Sequence, residues 1–190
     1  MRIANLRLLT LSFALVGTVS VAAAPLELST GGLGDAKFGM NVEAVEKGLG
    51  ANLSFGKAVT KSGVPKLDCA YARIDGVSGV SLRFEHGRFT VASIDKPTVT
   101  TKSGFKVGDR ESDIISKFKS DPTYKRYPNH YDDAVKEIYL GKAEHGTRNG
   151  QENWQGQMIK FTSKRGVVTM IEAGAADYIM LSEHDEECQH

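Results

Sequence analysis

Residues 81–95 read SLRFEHGRFTVASID, and residues 158–172 read MIKFTSKRGVVTMIE. Laid side by side without a gap, Leu82 matches Ile159, Phe84 matches Phe161, Val91 matches Val168 and Ile94 matches Ile171. In the first copy Val80, Leu82 and Phe84 alternate with Ser81, Arg83 and Glu85, the period of a half-buried strand. Glu85-His86-Gly87 and Lys164-Arg165-Gly166 supply hairpin turns, each with a glycine suited to positive φ. A fainter match lies upstream: residues 38–50 (FGMNVEAVEKGLG) resemble residues 105–118 (FKVGDRESDIISKF) with a small gap. Self-similarity at a fixed spacing points to a duplicated architecture.

The upstream segments carry helix signals. Asn41 and Asp109 stand where an N-cap is expected, with Glu43 and Glu111 in the first turn. Val42, Val45 and Leu49 form one apolar stripe; Ile114, Ile115 and Phe118 form the other. Gly48 and Gly50 end the first helix. Tyr71 with Ile74, and Ile138 with Leu140, indicate one earlier strand in each copy, and residues 178–182 indicate a last one. The expected fold class is therefore α+β: two tandem helix-plus-antiparallel-sheet repeats in two layers. The expected divisions are residues 1–23, 24–100 and 101–190.

The first of these divisions reads as a signal peptide. Arg2 and Arg7 precede an apolar run, LLTLSFALVGTVSV, that is too short to span a bilayer, and Ala22, Ala23 and Ala24 follow. Cleavage is expected after Ala23, with no cysteine nearby to carry a lipid, so the location expected is periplasmic or secreted. Loss of Arg2 and Arg7 leaves 24 − 2 = 22 basic side chains against 23 acidic ones, a net charge of −1. That balance gives no general attraction to nucleic acid or to an anionic membrane, and no stable membrane insertion is expected.

Two cysteines, Cys69 and Cys188, in an exported chain favour a disulfide, here closing a loop of 188 − 69 = 119 residues. A metal site from His184, Asp185, Glu186, Cys188 and His190 is the weaker reading, because the spacing fits no zinc pattern. Thiol titration of the denatured, unreduced protein is expected to find no free sulfhydryl; two free thiols would remove the bridge.

The copies differ in their middles. The helices are offset by 107 − 40 = 67 residues and the hairpins by 161 − 84 = 77, so the second copy carries about ten more. The excess falls within residues 121–154, which hold Tyr124, Tyr127, His130, Tyr131 and Trp154, with Arg148-Asn149-Gly150 as a turn. Such a segment makes poor core, whereas Tyr and Trp are well suited to protein contact. Tyr124, Tyr127, Tyr131 and Trp154 are the expected partner-binding residues.

The Gly39-Met40 turn leading into VEAVEKGLG resembles the opening of the SmpA/OmlA outer-membrane lipoproteins, and two helix-plus-sheet units in tandem resemble the β-lactamase-inhibitor-protein-like fold. The resemblance implies a small two-layer fold whose members bind proteins, either inhibiting secreted hydrolases or scaffolding envelope complexes. It supplies no catalytic residues. The chain has no Gly-x-Ser-x-Gly elbow, no His-Glu-x-x-His, no phosphate loop and no dinucleotide fingerprint. The expectation is a non-enzymatic protein-binding protein without metal or cofactor, an inhibitor or immunity-type blocker of a hydrolase. An envelope scaffold and a carbohydrate or small-ligand binder are the alternatives.

Overall fold

The computed structural model describes residues 26–56, 69–129, 131–148 and 151–180. The expected signal peptide, His130, Cys188 and the acidic tail lie outside them, and so does one end of the expected disulfide.

In chain order the elements are β1 (Glu27–Ser29), β2 (Gly32–Leu33), β3 (Ala36–Lys37), α1 (Val42–Leu49), β4 (Leu53–Phe55), β5 (Cys69–Ile74), β6 (Val80–Glu85) and β7 (Arg88–Ile94). There follow β8 (Thr100–Thr101), α2 (Glu111–Phe118), β9 (Lys125–Pro128), β10 (Val135–Arg148), β11 (Gln151–Lys164), β12 (Val167–Ala175) and α3 (Ala176–Met180). The expected α+β class is thereby corrected: the described residues are mostly β, with a four-stranded and an eight-stranded sheet and three short helices. It is not two helix-plus-sheet repeats. Strands from both halves join in one eight-stranded sheet of order β4-β5-β6-β7-β12-β11-β10-β9. The small sheet, β3-β2-β1-β8, also crosses the expected boundary, because β1 pairs in parallel with β8.

The physical reason is visible at the seam. β7 and β12 pair antiparallel, Ile94 with Ile171, Ser93 with Glu172 and Ala92 with Ala173. Each half alone would leave an apolar strand as an open edge, and edge-to-edge pairing satisfies both backbones at once. Gly174 allows the close fit, because a Cβ there would lie 2.2 Å from the Thr90 carbonyl oxygen.

What recurs is the hairpin. His86-Gly87 and Arg165-Gly166 both have positive φ at both residues (49° and 72°; 53° and 80°), as a tight hairpin turn requires. Each turn is followed by a one-residue bulge, at Thr90 and at Thr169. Each threonine hydroxyl donates 3.2 Å back across its hairpin, to the carbonyl of Arg83 or of Thr162. The structural offset is 165 − 86 = 79, not the 77 of the sequence match. Phe161 therefore stands where Leu82 stands, and not where Phe84 does. A slip of two keeps every side chain on its face, so Phe84 and Phe161 are nonetheless both buried. At an offset of 79, Ala92 corresponds to Ile171 and Ile94 to Ala173, while Ser93 corresponds to its own partner, Glu172. The register thus places an approximate two-fold axis at the Ser93–Glu172 pair.

One face of the large sheet forms the main core. Leu82, Phe84, Phe89, Ile94, Ile138, Phe161 and Ile171 meet Leu28, Leu33, Val45 and Ile114 from the small sheet and the helices, and Val99 from the segment before β8. Asn41 caps α1 as expected, its Oδ1 accepting from Ala44 N at 2.9 Å, and Gly50 closes it in the left-handed region. Gly48 lies within α1, where a Cβ would come 2.9 Å from Ala36 N. Asp109 is not the cap of α2; Arg110 holds that position, and Asp109 Oδ2 accepts from Lys106 N at 2.8 Å instead. Of the strand expected at 178–182, residues 178–180 belong instead to α3, which lies against β11, β12 and β7 on the opposite face of the sheet, and 181–182 lie outside the described residues.

Candidate functional site

Strand alternation sends one set of side chains from the large sheet away from the main core. Along one row of partners this outer face presents Ser54, Arg73, Ser81, Ser93, Glu172, Lys160, Tyr139 and Lys125. A second cluster covers part of it: Val91, Tyr139, Met158, Ala176 and Ile179, with Trp154, Tyr178 and Met180 packed alongside. Beside α3 an apolar cleft of about 330 Å³ opens, lined by Tyr127, Tyr139, Trp154, Met158 and Met180 and rimmed by Lys125, Lys142 and Glu144.

Three local features build this cleft. β10 and β11 pair along fourteen residues each, further than β9 or β12 accompanies them. The extra length forms a two-stranded arm whose base is one wall. The backbone N–H of Trp154 donates to Asp177 Oδ1 at 3.1 Å, which fixes the arm to α3. β9 is the outermost strand, and Arg126 ties it to α2 by a 2.8 Å ion pair with the buried carboxylate of Glu111.

Tyr127 is 46% exposed on β9, and its ring lies 5.8 Å from that of Tyr139. The Tyr139 hydroxyl donates to Glu137 Oε2 at 2.7 Å, and Asn129 Nδ2 donates to Glu137 Oε1 at 3.0 Å. Burial, and then the hydrogen bond and the charge of Glu137, hold the Tyr139 hydroxyl far above the ordinary phenol range. An unfolded phenol ionises near 10, so stability from this group is complete below about pH 10 and falls as pH rises beyond it. Absorbance titration is expected to show Tyr139 ionising only with alkaline unfolding; Tyr139→Phe should leave the earlier, reversible tyrosine phase unchanged.

The four expected contact residues divide. Tyr127 and Trp154 line the cleft together. Tyr124 is half-buried against the main core, and Tyr131, 86% exposed, sits in the turn before β10; neither lines the cleft. The segment 121–154, expected as recognition loop, is largely strand. Tyr139, Met158 and Met180 were missed. The signal for the first was its place between Ile138 and Leu140, where an outward position holds a ring instead of a polar group. Among the described residues no three His, Cys, Asp or Glu side chains are grouped to hold a metal ion, and no helix is long and apolar enough to cross a membrane.

No family model matches the chain, and no curated protein matches it. Among solved structures it is similar to an extracellular protein containing an SCP domain from Bacillus anthracis, at 5% identity and a TM-score of 0.44, over 75% of this chain and 45% of that one. The chain thus spans less than half of that protein's length. It is also similar to the uncharacterized protein yfeY from Escherichia coli, at 14% identity and a TM-score of 0.40, over 78% of this chain and 99% of that one. At these scores neither neighbour defines a shared fold or a shared site, and the two family resemblances gain no support from them.

Proposed function

We propose that this is an exported protein-binding protein that captures a segment of a partner protein in the aromatic cleft between β9, the base of the β10–β11 arm and α3. The supporting observation is that Tyr127 and Trp154 converge on one concave apolar surface floored by Tyr139, Met158 and Met180. Aromatic and methionine side chains supply large contact area, and the volume suits one or two inserted side chains. Addition of a partner strand to β9 is disfavoured, because Lys125 and Arg126 are charged and Pro128 lacks an N–H. Recognition then rests on side chains entering the cleft, with Lys125, Lys142 and Glu144 reading the rim.

The finer reading is a blocker of an envelope-acting or secreted hydrolase, in the periplasm or outside the cell. It requires a one-to-one complex with a soluble enzyme; copurification with membrane proteins would favour the scaffold. A pull-down from periplasmic extract, read by mass spectrometry, supplies the partner for quantitative work.

Tyr127→Ala is expected to leave the melting curve nearly unchanged and to weaken the complex by about 2 kcal/mol. Trp154→Ala should weaken both binding and folding, because its ring belongs to the second apolar cluster. Tyr131→Ala should alter neither. Thermal denaturation and titration calorimetry on the three variants separate contact from packing, and unchanged affinity in Tyr127→Ala would move the interface elsewhere.

A further inference from the structure

The two-fold correspondence has a counterpart for the aromatic cleft. Ser54 pairs with Arg73 and Arg73 with Ser81; in the other half Lys125 pairs with Tyr139 and Tyr139 with Lys160. Arg73 therefore occupies the position of Tyr139. Over it opens a second cleft of about 600 Å³ on the same outer face, lined among others by Ser54, Asp75, Ser81, Ser93, Asp95 and Lys96. One scaffold thus carries two related concavities, one aromatic and one polar.

We propose that the cleft over Arg73 is a separate ligand site that takes a small zwitterion, a free amino acid or a very short peptide. Four charged groups line it, Arg73, Lys96, Asp75 and Asp95, and they sum to zero, with Arg73 on β5 and Asp95 just past the end of β7, two strands away. A zwitterion can set its carboxylate against Arg73 and its ammonium against Asp95 at once, whereas a net anion or cation is opposed by one of the two. Asp75 is engaged, since Ser54 Oγ donates to its Oδ1. The side chains of Arg73, Lys96 and Asp95 are exposed and make no hydrogen bond or ion pair among the described residues. A guanidinium held open on a strand matches a carboxylate by its two-pronged donor geometry. The carboxylate of Asp95 is the complementary acceptor for an ammonium group. Ser81 and Ser93, half-buried on the floor, supply hydroxyls that both donate and accept. Ser93 also donates to Glu172 Oε1 at 3.3 Å, so the floor is anchored at the seam.

Titration of the ¹⁵N-labelled protein with glycylglycine tests this, with acetate and glucose as controls. Saturable amide shifts are expected at Arg73, Ser81, Ser93 and Asp95. Arg73→Gln and Asp95→Asn should each weaken them about tenfold, the ordinary scale for loss of one charge-assisted contact, while Tyr127→Ala leaves them intact. Both altered residues are exposed, so the rest of the spectrum should not move. The proposal is overturned by an absence of shifts in this cleft, or by full-strength binding in Arg73→Gln. Acetate binding as tightly as the dipeptide would make it a plain anion site, and glucose doing so a polyol site; either result also rejects the zwitterion.

Discussion

Phe161→Ala is expected to lower the unfolding free energy by about 3–5 kcal/mol, the usual cost of emptying an aromatic core site. Phe161 is 1% exposed, paired with Ile138 on one side and Ile171 on the other, and its ring meets that of Phe105 edge-on at 6.1 Å. Removing the ring deletes buried area and leaves a void bounded by two sheet partners whose backbones cannot close on it. Phe84→Ala should cost a similar amount for a different reason: Phe84 is clasped by Phe55 and Phe89 at 5.7 and 5.8 Å. Urea denaturation reads both. A near-neutral Phe161→Ala would place that ring in solvent and overturn the register of β11.

Lys160→Ala is expected to cost about 3 kcal/mol, and for an electrostatic reason. Lys160 Nζ lies 2.7 Å from Glu172 Oε2, with the side chains 11% and 17% exposed. Among the described residues Oε2 has the Lys160 ammonium as its close partner, and the carboxylate depends on that charge. Taking away the cation strands a carboxylate in the middle of the sheet, and such broken pairs are costly, whereas replacing both partners by apolar groups is often neutral. The double variant Lys160→Met with Glu172→Leu should recover most of the loss. If the single variant is neutral and the double is not, the carboxylate is hydrated and the pair contributes nothing.

The hairpins were legible because their signals are local. Alternation, a turn residue with a glycine, and β-branched or aromatic inward positions all lie within fifteen residues of one another. The α1 cap was legible for the same reason. The fold class was not, because it depends on β7 finding β12, a pairing of residues about eighty apart that leaves no local mark. Cap signals at Asn41 and Asp109 suggest layers of helix, yet α1 and α2 are only eight residues long and cover a small part of an eight-stranded sheet. Ungapped matching found Phe84 on Phe161 because the rings align at 77. The backbone aligns at 79, where Thr90 and Thr169 share a bulge and a hydrogen bond.

The cleft is only partly legible in the sequence. Aromatic density within 121–154 marks the flank where the cleft opens, and Tyr127 and Trp154 both line it. Tyr124 and Tyr131 lie away from the cleft, because the position before β9 turns toward the main core and a turn carries Tyr131 outward. Met158 and Met180 join the cleft from β11 and α3, and nothing in their neighbourhoods marks them as anything but core. The cleft over Arg73 left no aromatic signal, and only the two-fold correspondence of the strands brings it forward.

The central claim is that a partner protein enters the aromatic cleft. A photo-crosslinking phenylalanine analogue at position 127, with the same analogue at the exposed Val167 as control, tests it in cells producing the protein. A discrete adduct is expected from position 127, lost when Trp154 is replaced by alanine in a variant still folded at the working temperature, and none from position 167. No adduct at 127, or the same adduct from both positions, would contradict it.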